Sequence, residues 1–398
     1  MFYLEEIYQV FKKWASALRR FKLILAFYFY LVSELVDYDA KPCYLTAIHR
    51  KSDIKMKPDL VEMGSHKLVK QLRLNKEGKY PYRSKHRITL QCDITTDGEK
   101  YSSKKAGKVY KNWDNNLGKV IKTHTIVLLS FQIGFGKHVS RYVLDFRVKD
   151  KRNNKSYAEY VKEILTSLKS FLETNGCDLS LIVLTFDSSF SWLDDIEALD
   201  RLGFQFVGKF HHRKRVQLDN KSVVITNWLQ SKFYIKDFKE IENRYSSSIQ
   251  HWHYYRWLKF SSNPKFKVML FLGNMGKGRK RKRLLLITNM KGRSYITILE
   301  RWLCRWSIET IFKEENGSLG WSGYQRHTSA LPFENHIAWC CMKYNTITDY
   351  KVKHHLREYG VKRILRKIRM ELAEYRLSEI IEWVSKKIHQ DLLGDKFL

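Results

Sequence analysis

Cysteine is scarce in this chain, and its few residues form no pattern. Cys43, Cys92, Cys177, Cys304, Cys340 and Cys341 include no CxxC pair, which argues against a zinc ribbon or finger. Scattered thiols in a chain of 398 residues suit a reducing cytoplasm and are expected as small buried hydrophobes. Proline is rarer still, at five residues, so domain boundaries must be read from changes of pattern. Long apolar runs are also missing. The best, LILAFYFYLV from Leu23 to Val32, is about half of what a bilayer requires and is flanked by Arg19, Arg20, Lys22 and Glu34. It reads as a buried helix. Glu5 and Glu6 precede it and no small-residue cleavage site follows, so no signal peptide is expected. No internal repeat or long low-complexity tract occurs. Acidic residues are outnumbered, 41 Asp and Glu against 73 Lys and Arg, for a formal charge of +32. That excess implies a polyanionic partner, nucleic acid before a membrane surface.

What is present is a folding chain, 44% hydrophobic and 14% aromatic. Residues 1–86 read as a helical region that ends in a basic, poorly periodic stretch. From Arg87 the period changes to that of strands. RITLQCDI alternates, and HTIVLLSFQIG (His124 to Gly134) and SRYVLDFRV (Ser140 to Val148) read as the next two strands. A helix over Ser156 to Leu172, closed by Asn175-Gly176, leads into LSLIVLTFD (Leu179 to Asp187), a run typical of a strand covered on both faces. A second helix (SWLDDIEALDRLG) and the strand FQFVGKF follow. Three consecutive strands and then βαβ units predict an α/β, RNase H-like core over 87–212. A β-rich insertion is expected over 213–289, the rest of the core over 290–345, and a basic helical region over 346–398.

Three carboxylates stand out on that plan. Asp93 and Asp187 close the first and fourth strands, and strand ends near topological switch points are where sites form in open α/β sheets. Either could equally be a turn former or a helix N-cap, and Asp97 is an alternative to Asp93. Glu309 lies in RWLCRWSIETIF. Ile298, Trp302, Arg305, Glu309, Phe312 and Asn316 recur at steps of three or four, which places them on one face of a single helix. Arg305 could pair with Glu309 at i,i+4. Three carboxylates could hold Mg²⁺, or Mn²⁺, for phosphoryl transfer, with two ions clamping the attacking and leaving oxygens.

The segments CDITT, VLTFDSSFSWLDDIEALDRLGFQFVGKF and W302-LC-R305-WSI-E309-TIFKEE-N316 together resemble the DDE transposases of prokaryotic insertion sequences. The likeness is to the branch with a β-rich insert before the final Glu. It covers about residues 88 to 345. It implies an RNase H-like core and metal-dependent cutting and joining of DNA. Asp93, Asp187 and Glu309 are the implied metal ligands, and Arg305 the orienting cation. Trp302 and Asn316 stand where the family has Tyr and Lys, and Lys313, one turn earlier, could supply the missing charge. Insert tryptophans Trp252 and Trp257, with Arg256 between them, are implied as DNA contacts beside the cut.

Two further basic segments are candidate DNA contacts on charge alone. Lys277, Arg279, Lys280, Arg281, Lys282 and Arg283 crowd a hairpin tip, where they read as phosphate ligands. Lys351 to Arg369 carries eight Lys or Arg behind an apolar stripe of Val361, Ile364, Leu365 and Ile368, and suits a DNA-facing or dimer helix. A homodimer acting on DNA in a prokaryotic cytoplasm is the expectation. A metal-dependent nuclease without joining, or a non-catalytic DNA-binding relative, are the rivals.

Overall fold

The structure, a computed structural model, describes residues 57–77, 87–96, 108–114, 118–134, 139–190, 193–211, 213–230, 239–241, 252–274, 281–321, 330–373 and 382. Most of the expected N-terminal helical region and the run Leu23 to Val32 lie outside them, as do Asp97, Lys277, Arg279 and Lys280. The chain forms two compact units, Ser65–Thr95 with Thr125–Ile311, and Met1–Gly64 with Thr96–His124 and Phe312–Leu398.

The first unit is built on a mixed sheet of eleven strands. In chain order these begin β1 (Ile88–Thr96), then β4 (Thr125–Ile133), β5 (Ser140–Val148), β6 (Ile182–Phe186) and β7 (Gln205–Lys209). The β2–β3 hairpin (Tyr110–Asp114, Lys119–Thr123) interrupts the series and forms its own two-stranded sheet in the second unit. Strands β8 (Arg215–Leu218), β9 (Lys221–Val224), β10 (Lys239–Ile241), β11 (Trp252–Phe260), β12 (Lys267–Asn274) and β13 (Arg281–Thr288) continue the large sheet. The order is β5-β4-β1-β6-β7-β13-β12-β11-β8-β9, with β10 paired to β11. The strands over 213–289 therefore extend the sheet that carries β1 and β6. The fold is mixed α/β.

The alternation of ITLQCD sends Ile88, Leu90 and Cys92 into the larger apolar cluster. Helix α1 (Lys57–Lys76) precedes β1 in the chain, and helix α2 (Tyr157–Thr174) contributes Val161, Ile164 and Leu165 to that cluster. It begins at a capping box in which the Ser156 side chain accepts from the Glu159 N–H and Glu159 accepts from the Ser156 N–H. It ends at Asn175, and Gly176 follows with φ +66°. Helix α3 (Leu193–Arg201) adds Ile196 and Leu199, and helix α4 (Ile225–Gln230) adds Ile225. A smaller cluster joins Val183, Val207, Met269 and Leu286 to Ile298, Leu299 and Trp302 of α5 (Tyr295–Leu303).

The second unit contains α7 (Ala330–Lys353) and α8 (Val361–Ala373). Val361, Ile364 and Leu365 of α8 are buried, while Lys362, Arg363 and Arg366 are exposed. Among the described residues no helix is long and apolar enough to cross a membrane.

One glycine sets strand spacing. A Cβ on Gly208 of β7 would lie 1.9 Å from the Phe186 ring of β6. Gly208→Ala should therefore destabilise the chain by about 1–3 kcal/mol in urea unfolding, the range for overpacking a core. The loss should shrink in a Phe186→Leu background, and an equal loss in both backgrounds would count against this contact.

Candidate active site

β1 and β6 run parallel, with Ile88 opposite Ile182 and Gln91 opposite Thr185. Carried two residues further, the same register sets Asp93 level with Asp187. Adjacent strands lie about 4.8 Å apart, so the two residues stand side by side, although β1 runs on to Thr96 and Asp93 lies within it rather than at its end as expected. β7 runs parallel to β6, with Gly208 opposite Phe186, and places Lys209 beside Asp187. The Lys209 Nζ is 3.4 Å from the Asp187 Oδ1.

The third carboxylate arrives on α6 (Trp306–Ser318). The expected single helix through Arg305 and Glu309 is broken. α5 stops at Leu303, and Cys304 and Arg305 form a turn before α6 begins. In the turn the Arg305 N–H donates to the Trp302 carbonyl and the Ser307 N–H to that of Cys304, the tighter three-residue spacing. No proline or glycine marks this break.

The α5 side is tied to the start of β1. Arg301 Nη1 donates to the Ile88 carbonyl at 2.8 Å and to Thr89 Oγ1 at 2.9 Å, and Arg87 pairs with Glu300 at 2.6 Å. Burial lowers the Arg301 guanidinium to about 10. On the α6 side, the Ser307 hydroxyl donates to Gln132 of β4. The turn that presents Arg305 is thus held on both flanks.

Arg305 bridges two of the carboxylates. Its Nη1 donates to Asp93 Oδ2 at 2.9 Å and its Nη2 to Glu309 Oε1 at 2.8 Å. Its side chain is 8% exposed, against 18% for Asp93, 35% for Asp187 and 42% for Glu309. Its guanidinium carbon lies 5.3 Å from the Trp306 ring centroid and 5.9 Å from that of Trp302. The Arg305 Nε is buried without a partner.

The two aspartates titrate in opposite directions. Burial raises Asp93 to about 6. The Ile94 N–H and Arg305 oppose the rise, and Asp187 and Glu309 add to it. Burial also pushes Asp187 up, but the Ser188 N–H, Lys209 and Arg305 outweigh it and hold Asp187 below the usual carboxylate range. Paired carboxylates driven apart in this way are a mark of functional sites.

The expected DNA contacts fall in several places. Trp302 is only 3% exposed and packs in the smaller cluster, while its neighbour Trp306, which sequence reasoning passed over, is 41% exposed. Trp257 is half-buried against the same cluster, with Lys267 over its ring at 5.8 Å. Trp252 and Arg256 lie in β11, Trp252 opposite Gly273, which in turn faces Lys282. Arg281, Lys282 and Arg283 open β13, which runs antiparallel to β7 with Leu286 opposite Lys209. They therefore extend roughly 10–17 Å beyond Lys209 at the sheet end where Asp187 sits, at about 3.4 Å per residue. On α6, Lys313 is exposed and Asn316 half-buried, its Oδ1 buried without a partner. Lys209 was also missed, although a strand ending in Lys directly after the strand ending in Asp187 was a usable signal.

Among the described residues, no three His, Cys, Asp or Glu side chains stand close enough to form a ready-made metal cage. The positive charge between Asp93 and Glu309 is the Arg305 guanidinium.

The raised Asp93 gives a signed expectation. Above about pH 6 the carboxyl is ionised in both folded and unfolded chains, and the fold bears the cost of burying it. As pH falls from about 6 towards 3.8, the folded chain takes up the proton first and this group's contribution to stability rises. Asp93→Asn should thus be more stable than the parent by about 1–3 kcal/mol at pH 8, with the gap closing near pH 4. Denaturant titrations at both pH values check this, and a parent chain at least as stable at pH 8 would contradict it. Comparison of the sequence with protein-family models and with curated proteins returns no match.

Proposed function

We propose that this chain is a DDE-type DNA transposase with an RNase H-like core. It would cut a DNA strand at an element end to free a 3′-OH and join that end to target DNA. The observation that carries the reading is the parallel register that sets Asp93 level with Asp187, with Glu309 tied to Asp93 through Arg305. The strand order β5-β4-β1-β6-β7 supports it, since the first three strands of the core stand in consecutive order and two parallel strands follow.

The donor set fits a hard divalent cation. All three groups offer oxygen, and Asp93 is raised to about 6 because its burial and two neighbouring carboxylates outweigh the single guanidinium. Asp93, Asp187 and Glu309 would hold Mg²⁺ or Mn²⁺. Two such ions supply an activated water or hydroxyl and charge stabilisation for in-line displacement at phosphorus. Arg305 keeps Glu309 and Asp93 oriented through paired, charge-assisted hydrogen bonds. Ser307, Arg301 and Glu300 fix the turn that aims Arg305.

The +32 charge suits a DNA substrate, and Arg281 to Arg283 at the site end of the sheet suit its phosphates. The enzyme would act as a homodimer on DNA in the cytoplasm. Glu309→Gln keeps the shape of the side chain and removes its charge. It should lower Mg²⁺-dependent cutting and 3′-OH joining by about 100-fold or more, with DNA binding and melting temperature unchanged. Cutting without joining by the parent chain would identify a nuclease instead. Wild-type cutting by Glu309→Gln would overturn the site.

A further inference from the structure

Phosphoryl transfer needs a cation against the oxygens of the phosphate under attack. Arg305 is poorly placed for this, being buried and divided between Asp93 and Glu309. Lys209 has the opposite situation. Its side chain is 39% exposed, and Asp187 is its ion-pair partner at a loose 3.4 Å. A tight ammonium–carboxylate hydrogen bond is about 2.7–2.9 Å, so the pair is easily exchanged for another anion.

The placement is built into the fold. Gly208 lets the Phe186 ring cover the β7 backbone one residue before Lys209, where any side chain would collide at 1.9 Å. The register then delivers Lys209 next to Asp187. From Lys209 the same sheet end leads to Arg283, Lys282 and Arg281. A DNA strand running along that sheet end would bring a phosphate to Lys209 where it reaches the carboxylates.

We propose that Lys209 is a catalytic residue that grips a non-bridging oxygen of the phosphate being cut, leaving Asp187 as the strand arrives. This rests on the reading of the site as a DNA-cutting centre. It adds a substrate-contacting cation that the carboxylates do not require for their own cohesion.

The test uses the full chain with Lys209→Gln, Lys209→Arg and Glu309→Gln. Nicking of supercoiled plasmid with Mg²⁺ is measured together with binding to a 30-base-pair duplex across a salt series. Lys209→Gln should slow nicking by about 100-fold, the size of one lost charge-stabilising group. Lys209→Arg should recover most of that loss. The log–log salt slope of binding should fall in magnitude by about 0.9 in Lys209→Gln, one phosphate contact. A lysine that merely pairs with Asp187 would leave the slope unchanged, and that result overturns the proposal whether or not nicking is seen. Normal nicking by Lys209→Gln with a dead Glu309→Gln also overturns it while sparing the site. Normal nicking by both would remove the reading beneath it.

Discussion

A guanidinium that is 8% exposed stands between one carboxylate that is 18% exposed and another that is 42% exposed, and the contacts on both flanks of its turn hold it there. Asp93 lies within β1, one residue after Cys92, and the alternation that sends Ile88, Leu90 and Cys92 into the apolar cluster puts it on the opposite face. Its charge is costly at that depth, and Arg305 only partly offsets the cost, which is why the carboxyl is raised to about 6. The bridge thus ties the α5–α6 turn to the sheet, and Arg301 on the adjoining turn of helix grips the same strand at Ile88 and Thr89. Two arginines four residues apart hold one strand at its start and at Asp93.

The second constraint is spacing between strands. Parallel pairing of β1 with β6 and of β6 with β7 lines up Asp93, Asp187 and Lys209 at one sheet end. Antiparallel pairing of β13 with β7 turns the basic start of β13 towards that same end. Charges far apart in the chain become neighbours through backbone register, with Gly208 and Phe186 setting how closely β6 and β7 approach. Positive charge is graded along this end, from a buried guanidinium through a half-exposed ammonium to the residues that open β13.

Much of this was legible in the sequence because period carries strand and helix identity. Ser140–Val148 matches its expected strand, while Leu179 to Asp187 opens with a short 3₁₀ turn at Leu179–Leu181 and its strand ends at Phe186, leaving Asp187 just beyond it. Asp93 and Asp187 were visible as polar ends to apolar runs. The break at Cys304 and Arg305 was not, because no helix breaker stands there and the contact that holds Arg305, to Asp93, comes from more than 200 residues earlier. The β2–β3 hairpin was missed because a five-residue ribbon carries too little periodicity to register. Trp302 illustrates a third limit. On a helix face it looks the same whether it packs inward or meets a ligand, and only the cluster around it, Ile298, Leu299 and Met290, decides.

The central claim is that Asp93, Asp187 and Glu309 act together as one divalent-cation site. Binding of Mn²⁺, followed by electron paramagnetic resonance on the chain bound to duplex DNA, tests it most directly. The account predicts binding in the parent chain that weakens by tenfold or more, about 1.4 kcal/mol, in each of Asp93→Asn, Asp187→Asn and Glu309→Gln. Mn²⁺ binding that is unchanged in all three variants would contradict it.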